Sequence, residues 1–234
     1  MGWNLQLQPV FGVLTHTASL YVGPFVTVLM QAYFFSQRNS GAMSLFHLFD
    51  VIFVKPVVSP YFNPIERWGQ VRNIIVAPLS EEIVFRGCML PPLLASGLGP
   101  ITVSFIAPIF FGVAHAHHAV LKLQEGVKPA NVAIVTTFQF MYTTLFGCYA
   151  AYVFLRTGSI LAVFASHAFC NSMGLPDLSF LSKRGGRYSR LYRHRVFIMG
   201  AYLFGVAAFL WGFRSDFLLP LPSRLPQLIH DVIG

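Results

Sequence analysis

Apolar residues fall in long blocks along this chain, at about 10–35, 71–95, 99–121, 131–156, 158–176 and 196–213. A membrane-crossing helix needs roughly 20 such residues, so the pattern predicts six membrane segments. Residues 43–62 are apolar as well but carry Asp50, Lys55, Pro56 and Pro60, which predicts an interfacial or re-entrant segment rather than a clean span. Short punctuators separate the blocks at 36–41, 97–100, 123–129, Gly158 and the basic stretch 182–195. None is long enough to mark a second domain, and the chain carries no internal repeat or low-complexity run. The reading is all-α: a polytopic membrane helix bundle of six to seven apolar segments, one transmembrane domain over residues 1–234.

Composition agrees. The 234 residues are 55% hydrophobic and 10% charged, with a mean hydropathy of +0.63, whereas soluble domains carry about a quarter charged residues. The net charge is +8, and Lys183, Arg184, Arg187, Arg190, Arg193 and Arg195 lie in one short stretch. Such a patch could contact nucleic acid. Beside apolar spans it reads instead as a cytosolic loop facing anionic headgroups, and no nucleic-acid partner is expected. Counting spans backwards from that loop puts Lys122, Lys128, Arg67 and Arg72 on the same side, with Arg38 if 43–62 does not cross; Arg156 and Arg214 are the exceptions. Cys88, Cys148 and Cys170 lie in apolar blocks with no CxxC spacing, so no disulfide or zinc framework is implied. Residues 1–9 lack the basic start and short apolar core of a signal peptide, and no retention or prenylation motif closes the chain.

Three polar clusters interrupt the apolar blocks: Glu81, Glu82 and Arg86; His115 with His117 and His118; and His167 with Asn171. Ionisable groups at membrane depth are costly and mark functional sites by default. At 1.5 Å per residue, Glu81 lies about 13 Å from the cytosolic start of its segment near Arg72, while His115 and His167 lie roughly 9 Å and 16 Å from the cytosolic ends of theirs. Three helices thus carry polar groups in one half of the bilayer, where they could line a cavity open to the cytosol, with Pro78 expected to kink the first.

Spacing separates the roles. Glu82 and Arg86 are i,i+4 and can pair as ions. Glu81 is turned about 100° from Glu82, which leaves it to face a cavity as a general base. The bland alternative is that both acids merely neutralise Arg86 and a histidine. His167 and Asn171 share a helix face, where imidazole and amide N–H groups make an oxyanion site, or equally an interhelical hydrogen-bonding pair. His117 and His118 read as a polar helix end, and His115, deeper, as a second catalytic candidate. Glu81, His115 and His167 could instead ligate a divalent metal, although no HExxH motif is present. Cys170, three residues from His167, is more often a small core residue than a nucleophile. His16, His47, His194 and His230 have no partner legible in the sequence.

The order EExxxR, FxxxH, HxxxN resembles the type II CAAX prenyl endopeptidases, here at Glu81, Glu82 and Arg86; Phe111 and His115; His167 and Asn171. The surrounding text (APLSEEIVFRGCMLPPLL, FFGVAHAHH, FQFMYTTLFGCYAAYVFLRTG, SHAFCNSMGLP) is similar to the eukaryotic branch of that family over residues 68–176, the expected catalytic core. The resemblance implies an eight-helix fold in the endoplasmic reticulum membrane, which leaves room for an N-terminal helix or two outside the six to seven segments counted here. It implies removal of the aaX tripeptide from farnesylated or geranylgeranylated CAAX proteins, with the site reached from the cytosol. Glu81 with His115 would activate water, His167 with Asn171 would stabilise the oxyanion, and Glu82 with Arg86 would support them. No cofactor is expected. The rival readings are a transporter or channel, which would predict symmetric halves or discontinuous helix pairs, and an inactive scaffold of the same fold.

Overall fold

The computed structural model describes residues 7–38, 64–183 and 187–214. The stretch 43–62, His47, His230, Arg184 and both chain ends lie outside them. Every regular element among the described residues is helical: α1 (Leu7–Ser19), α2 (Val22–Arg38), α3 (Pro64–Val71), α4 (Ala77–Glu82), α5 (Leu90–Ala95), α6 (Pro100–Ala114), α7 (His117–Gln124), α8 (Pro129–Thr157), α9 (Ile160–Met173), α10 (Arg187–Arg193) and α11 (Arg195–Gly212). The all-α expectation holds. By length and composition, three helical stretches among the described residues can cross a membrane: α6 with α7, α8, and α11. The pair α1 and α2, bent by 64°, makes a fourth if it counts as one span. The other two apolar blocks are helical but not single full-length spans, because α9 has only 14 residues and 64–95 is interrupted.

Proline placement explains those interruptions. A proline inside a helix lacks an N–H and its ring presses on the carbonyl four residues back. Pro78 and the pair Pro91 and Pro92 are each preceded by a wide π-turn, Arg72–Val76 and Ile83–Cys88. There the backbone bonds five residues back, from Ala77 N–H to Arg72 O and from Met89 N–H to Val84 O. The run stays helical through both turns, from Pro64 to Cys88, with Pro78 inside it. Such π-turns occur frequently at functional sites, and Glu81 and Glu82 sit between these two.

The chain forms two compact units. Among the described residues the first comprises 7–10 and 78–167; the second, 11–38, 64–77, 168–183 and 187–214. Within the first, α6 and α8 pack closely along small residues. A Cβ on Gly147 would stand 2.8 Å from Pro108 Cβ, and one on Gly112 would meet Thr144 and the Phe140 ring. Small residues let membrane helices approach where lipid gives no hydrophobic drive to associate. Pro129 starts α8 at a position that needs no N–H. Gly158, at φ 63°, ends it in the left-handed region, and Ser159 Oγ then accepts Ala162 N–H at 3.2 Å to cap α9. This two-residue turn fixes how far along α9 His167 falls. Ile101, Phe105, Ile134 and Leu145 are exposed on α6 and α8, as lipid-facing residues are.

Within the second unit, α11 packs on α1 and α2 with Gly205 against Ser19 O and Gly23 against Tyr202. His16, fully buried, donates Nε2–H to Phe209 O at 2.8 Å and stacks on the Phe209 ring, so it serves the last turns of α11. Phe180, Leu191 and Ile198 form a buried cluster backed by Met30 and Phe34. Arg190 donates to Phe34 O at 3.3 Å, and the Arg195 guanidinium lies 4.1 Å from the centre of the Tyr192 ring.

Candidate active site

The buried polar cluster of the first unit is built around Glu82, whose side chain is fully buried. One oxygen, Oε1, accepts Nδ1–H of His167 at 2.6 Å. The other, Oε2, stands 3.0 Å from Arg86 Nη1, an ion pair without an aligned hydrogen bond. The i,i+4 pairing read from the sequence is thus present, even across the wide turn at Ile83–Cys88. Arg86 also donates Nη2–H to Gly147 O at 3.3 Å, and its guanidinium lies 4.7 Å from the centre of the Phe111 ring. A buried charge pair keeps its place only when its remaining hydrogen-bonding groups are also served. Here α8 supplies a carbonyl, α6 a ring face and α9 an imidazole.

Glu81 differs from Glu82 in its surroundings. Its side chain is 30% exposed, and Oε2 lies 3.7 Å from His167 Nε2, beyond hydrogen-bond range. His167 therefore stands between the two carboxylates, bonded to one and facing the other. Because a carboxylate only accepts, Nδ1 carries the hydrogen of the Glu82 bond. The imidazole is walled by Phe146 at 4.7 Å and Phe111 at 6.1 Å between ring centres.

His115 closes α6. Its Nδ1–H donates to Phe111 O at 2.8 Å, so Nε2 is the nitrogen left to accept in the neutral ring. His117 donates to Ala114 O at 2.7 Å, serving another terminal carbonyl of the same helix, as a polar helix end would. Beside His115 is a cavity of about 260 Å³ lined by Gly112, Val113, Ala116, Thr136, Thr137 and Phe140. Among the described residues no hydrogen bond or ion pair joins His115 to Glu81, Glu82 or His167; the ring of Phe111 lies between. No group of three His, Cys, Asp or Glu is placed to hold a metal ion among the described residues. Asn171, one turn beyond His167 on α9, belongs to the second unit, where its Nδ2 donates to Asn73 O at 2.9 Å. The sequence reading did not contain the Glu82–His167 bond or the place of Phe111, because both join helices far apart in the chain.

Fold and cluster together define an all-α membrane protein with a buried carboxylate–histidine–arginine network. A family model described as Type II CAAX prenyl endopeptidase Rce1-like matches residues 64–173. The probable CAAX prenyl protease 2 of Schizosaccharomyces pombe is 36% identical over 205 residues, covering 87% of this chain and 66% of that protein. CAAX prenyl protease 2 of Arabidopsis thaliana is 31% identical over 227 residues, covering 96% of this chain and 66% of its own length. The human CAAX prenyl protease 2 is 47% identical over 112 residues, covering 47% of this chain and 33% of its own length. No solved structure matches. The chain belongs to the type II CAAX prenyl endopeptidase family, and it spans about two thirds of the fission-yeast and Arabidopsis relatives and a third of the human one.

Proposed function

We propose that this protein is an intramembrane peptide hydrolase that removes the aaX tripeptide from farnesylated or geranylgeranylated CAAX proteins. The observation that carries the reading is the buried network of Glu82, Arg86 and His167, with the partly exposed Glu81 facing it, within the stretch that matches the family.

Glu81, the more accessible carboxylate, takes a proton from water as the water oxygen adds to the scissile carbonyl carbon. His115 orients that water through Nε2, since its Nδ1–H is engaged by Phe111 O. The carbonyl electrons move onto oxygen, and His167 stabilises the oxyanion. With Nδ1–H given to Glu82, His167 reaches the oxyanion through Nε2, which carries a hydrogen in the imidazolium form. Glu82 orients this ring as a buried carboxylate orients its histidine in a hydrolytic triad, and Arg86 balances the Glu82 charge. Collapse breaks the C–N bond, the leaving amine takes the proton held by Glu81, and the products are a free tripeptide and a carboxylate on the prenylated cysteine.

This chemistry uses no metal. The protein works in the endoplasmic reticulum membrane with its site reached from the cytosolic side, where a prenylated C-terminus already lies in the leaflet. The test is tripeptide release from a farnesylated CAAX peptide by the purified chain in lipid vesicles, followed by mass spectrometry, with Glu81→Gln beside it. Release by the unaltered chain alone, unchanged after dialysis against a chelator, supports the reading. No release by the folded chain, or equal release by Glu81→Gln, overturns it.

A further inference from the structure

His115 and His167 come from different helices and share no hydrogen bond, yet the proposed chemistry needs both at one carbonyl. What joins them is Phe111, a residue with no polar side-chain atom, only 2% exposed. Its ring meets the His115 ring edge to face at 4.9 Å and the His167 ring at 6.1 Å, with interplanar angles of 74° and 80°. The Arg86 guanidinium lies 4.7 Å from the same ring's centre, in cation–π range. Phe85, from the wide turn that carries Arg86, packs edge to face on it at 5.0 Å. The Phe111 carbonyl holds His115 Nδ1. One residue thus touches His115 through both ring and backbone, His167 through the ring, and the cation that pairs with Glu82.

We propose that Phe111 is the positioning residue of this site: its ring sets the separation and tilt of the two imidazoles and seats Arg86 under Glu82, while its carbonyl fixes the His115 tautomer. The ring suits this task better than an aliphatic side chain. A flat, rigid group with an electron-rich face and electron-poor edges offers a guanidinium and an imidazole different preferred approaches at once. A leucine fills much of the space but has neither face nor edge. The role rests on the hydrolytic reading above, but the contacts that define it can be measured without turnover.

The test is Phe111→Leu, read two ways. In the first, the histidines are labelled with ¹⁵N and their imidazole resonances recorded in detergent micelles. Loss of the aromatic ring current should shift His115 and His167 and leave His16 and His194 unchanged, while the His115 tautomer, held by the backbone carbonyl at 111, stays the same. In the second, kcat and KM are measured on a farnesylated peptide. Misplacement by about 1 Å can cost on the order of 100-fold, so kcat should fall tenfold to 100-fold per folded molecule while KM stays within about twofold. A folded Phe111→Leu protein with unshifted His115 and His167 resonances overturns the proposal, as does shifted resonances with an unchanged kcat. Shifted resonances in a chain whose unaltered form cleaves nothing would instead sustain the positioning role and overturn the hydrolytic reading.

Discussion

Replacing Glu82 by glutamine tests how the buried network is held together. The carboxylate presents acceptors on both sides, to His167 Nδ1–H at 2.6 Å and to Arg86 at 3.0 Å, with no exposure to water. Glutamine has one acceptor end and one donor end. If its oxygen turns to His167, its NH₂ faces the guanidinium donor to donor; if it turns to Arg86, it opposes the imidazole N–H. Either way Arg86, only 3% exposed, loses its counter-charge, and the bond to Gly147 O cannot replace it. Breaking a buried pair in this way costs about 3–5 kcal/mol. For a chain of this size about 1 kcal/mol corresponds to 2–4 °C in melting temperature, so a fall of roughly 10 °C in detergent is expected. The double change Glu82→Gln with Arg86→Met removes the orphan cation. It should recover part of the loss, the remainder being the amide N–H left without a partner, about 1–3 kcal/mol. Circular dichroism melts of the three proteins decide the matter. A Glu82→Gln protein that melts like the unaltered chain, or a double variant less stable than the single one, would refute the reasoning.

Glu81→Gln should behave oppositely, with turnover lowered about 10²–10⁴-fold and the melting temperature nearly unchanged, because Glu81 is partly exposed and makes no short ion pair; a destabilised but active protein would reverse the two glutamates. Cys170→Ala should keep substantial activity, any loss tracking stability, and a trapped thioester in a folded protein would return the cysteine to first place. A cysteine placed at Ser189, within the basic stretch, should be labelled from the cytosolic face of sealed microsomes; labelling only after permeabilisation would reverse the orientation.

What the sequence determined about this protein is what short-range geometry encodes. Long apolar blocks can only be helices in or near lipid, so the all-α class was legible from hydrophobicity alone. The Glu82–Arg86 pair was legible because residues four apart share a helix face, and His117 as a helix-end residue because it sits beside a turn. Tertiary structure decided what lies between helices. Glu82 and His167 are 85 residues apart, and no periodicity relates them; their meeting depends on where α9 starts after Gly158 and Ser159. The seat of Arg86 depends on how closely α6 and α8 approach, which Gly112 and Gly147 permit by lacking side chains. The wide turns before Pro78 and Pro91 were also hidden, because a proline signals only that the helix must adjust, not whether it kinks or widens. Phe111 was legible only as the first residue of the FxxxH spacing, and its neighbours Phe85, Arg86, His115 and His167, drawn from three separate stretches of chain, show what its ring touches.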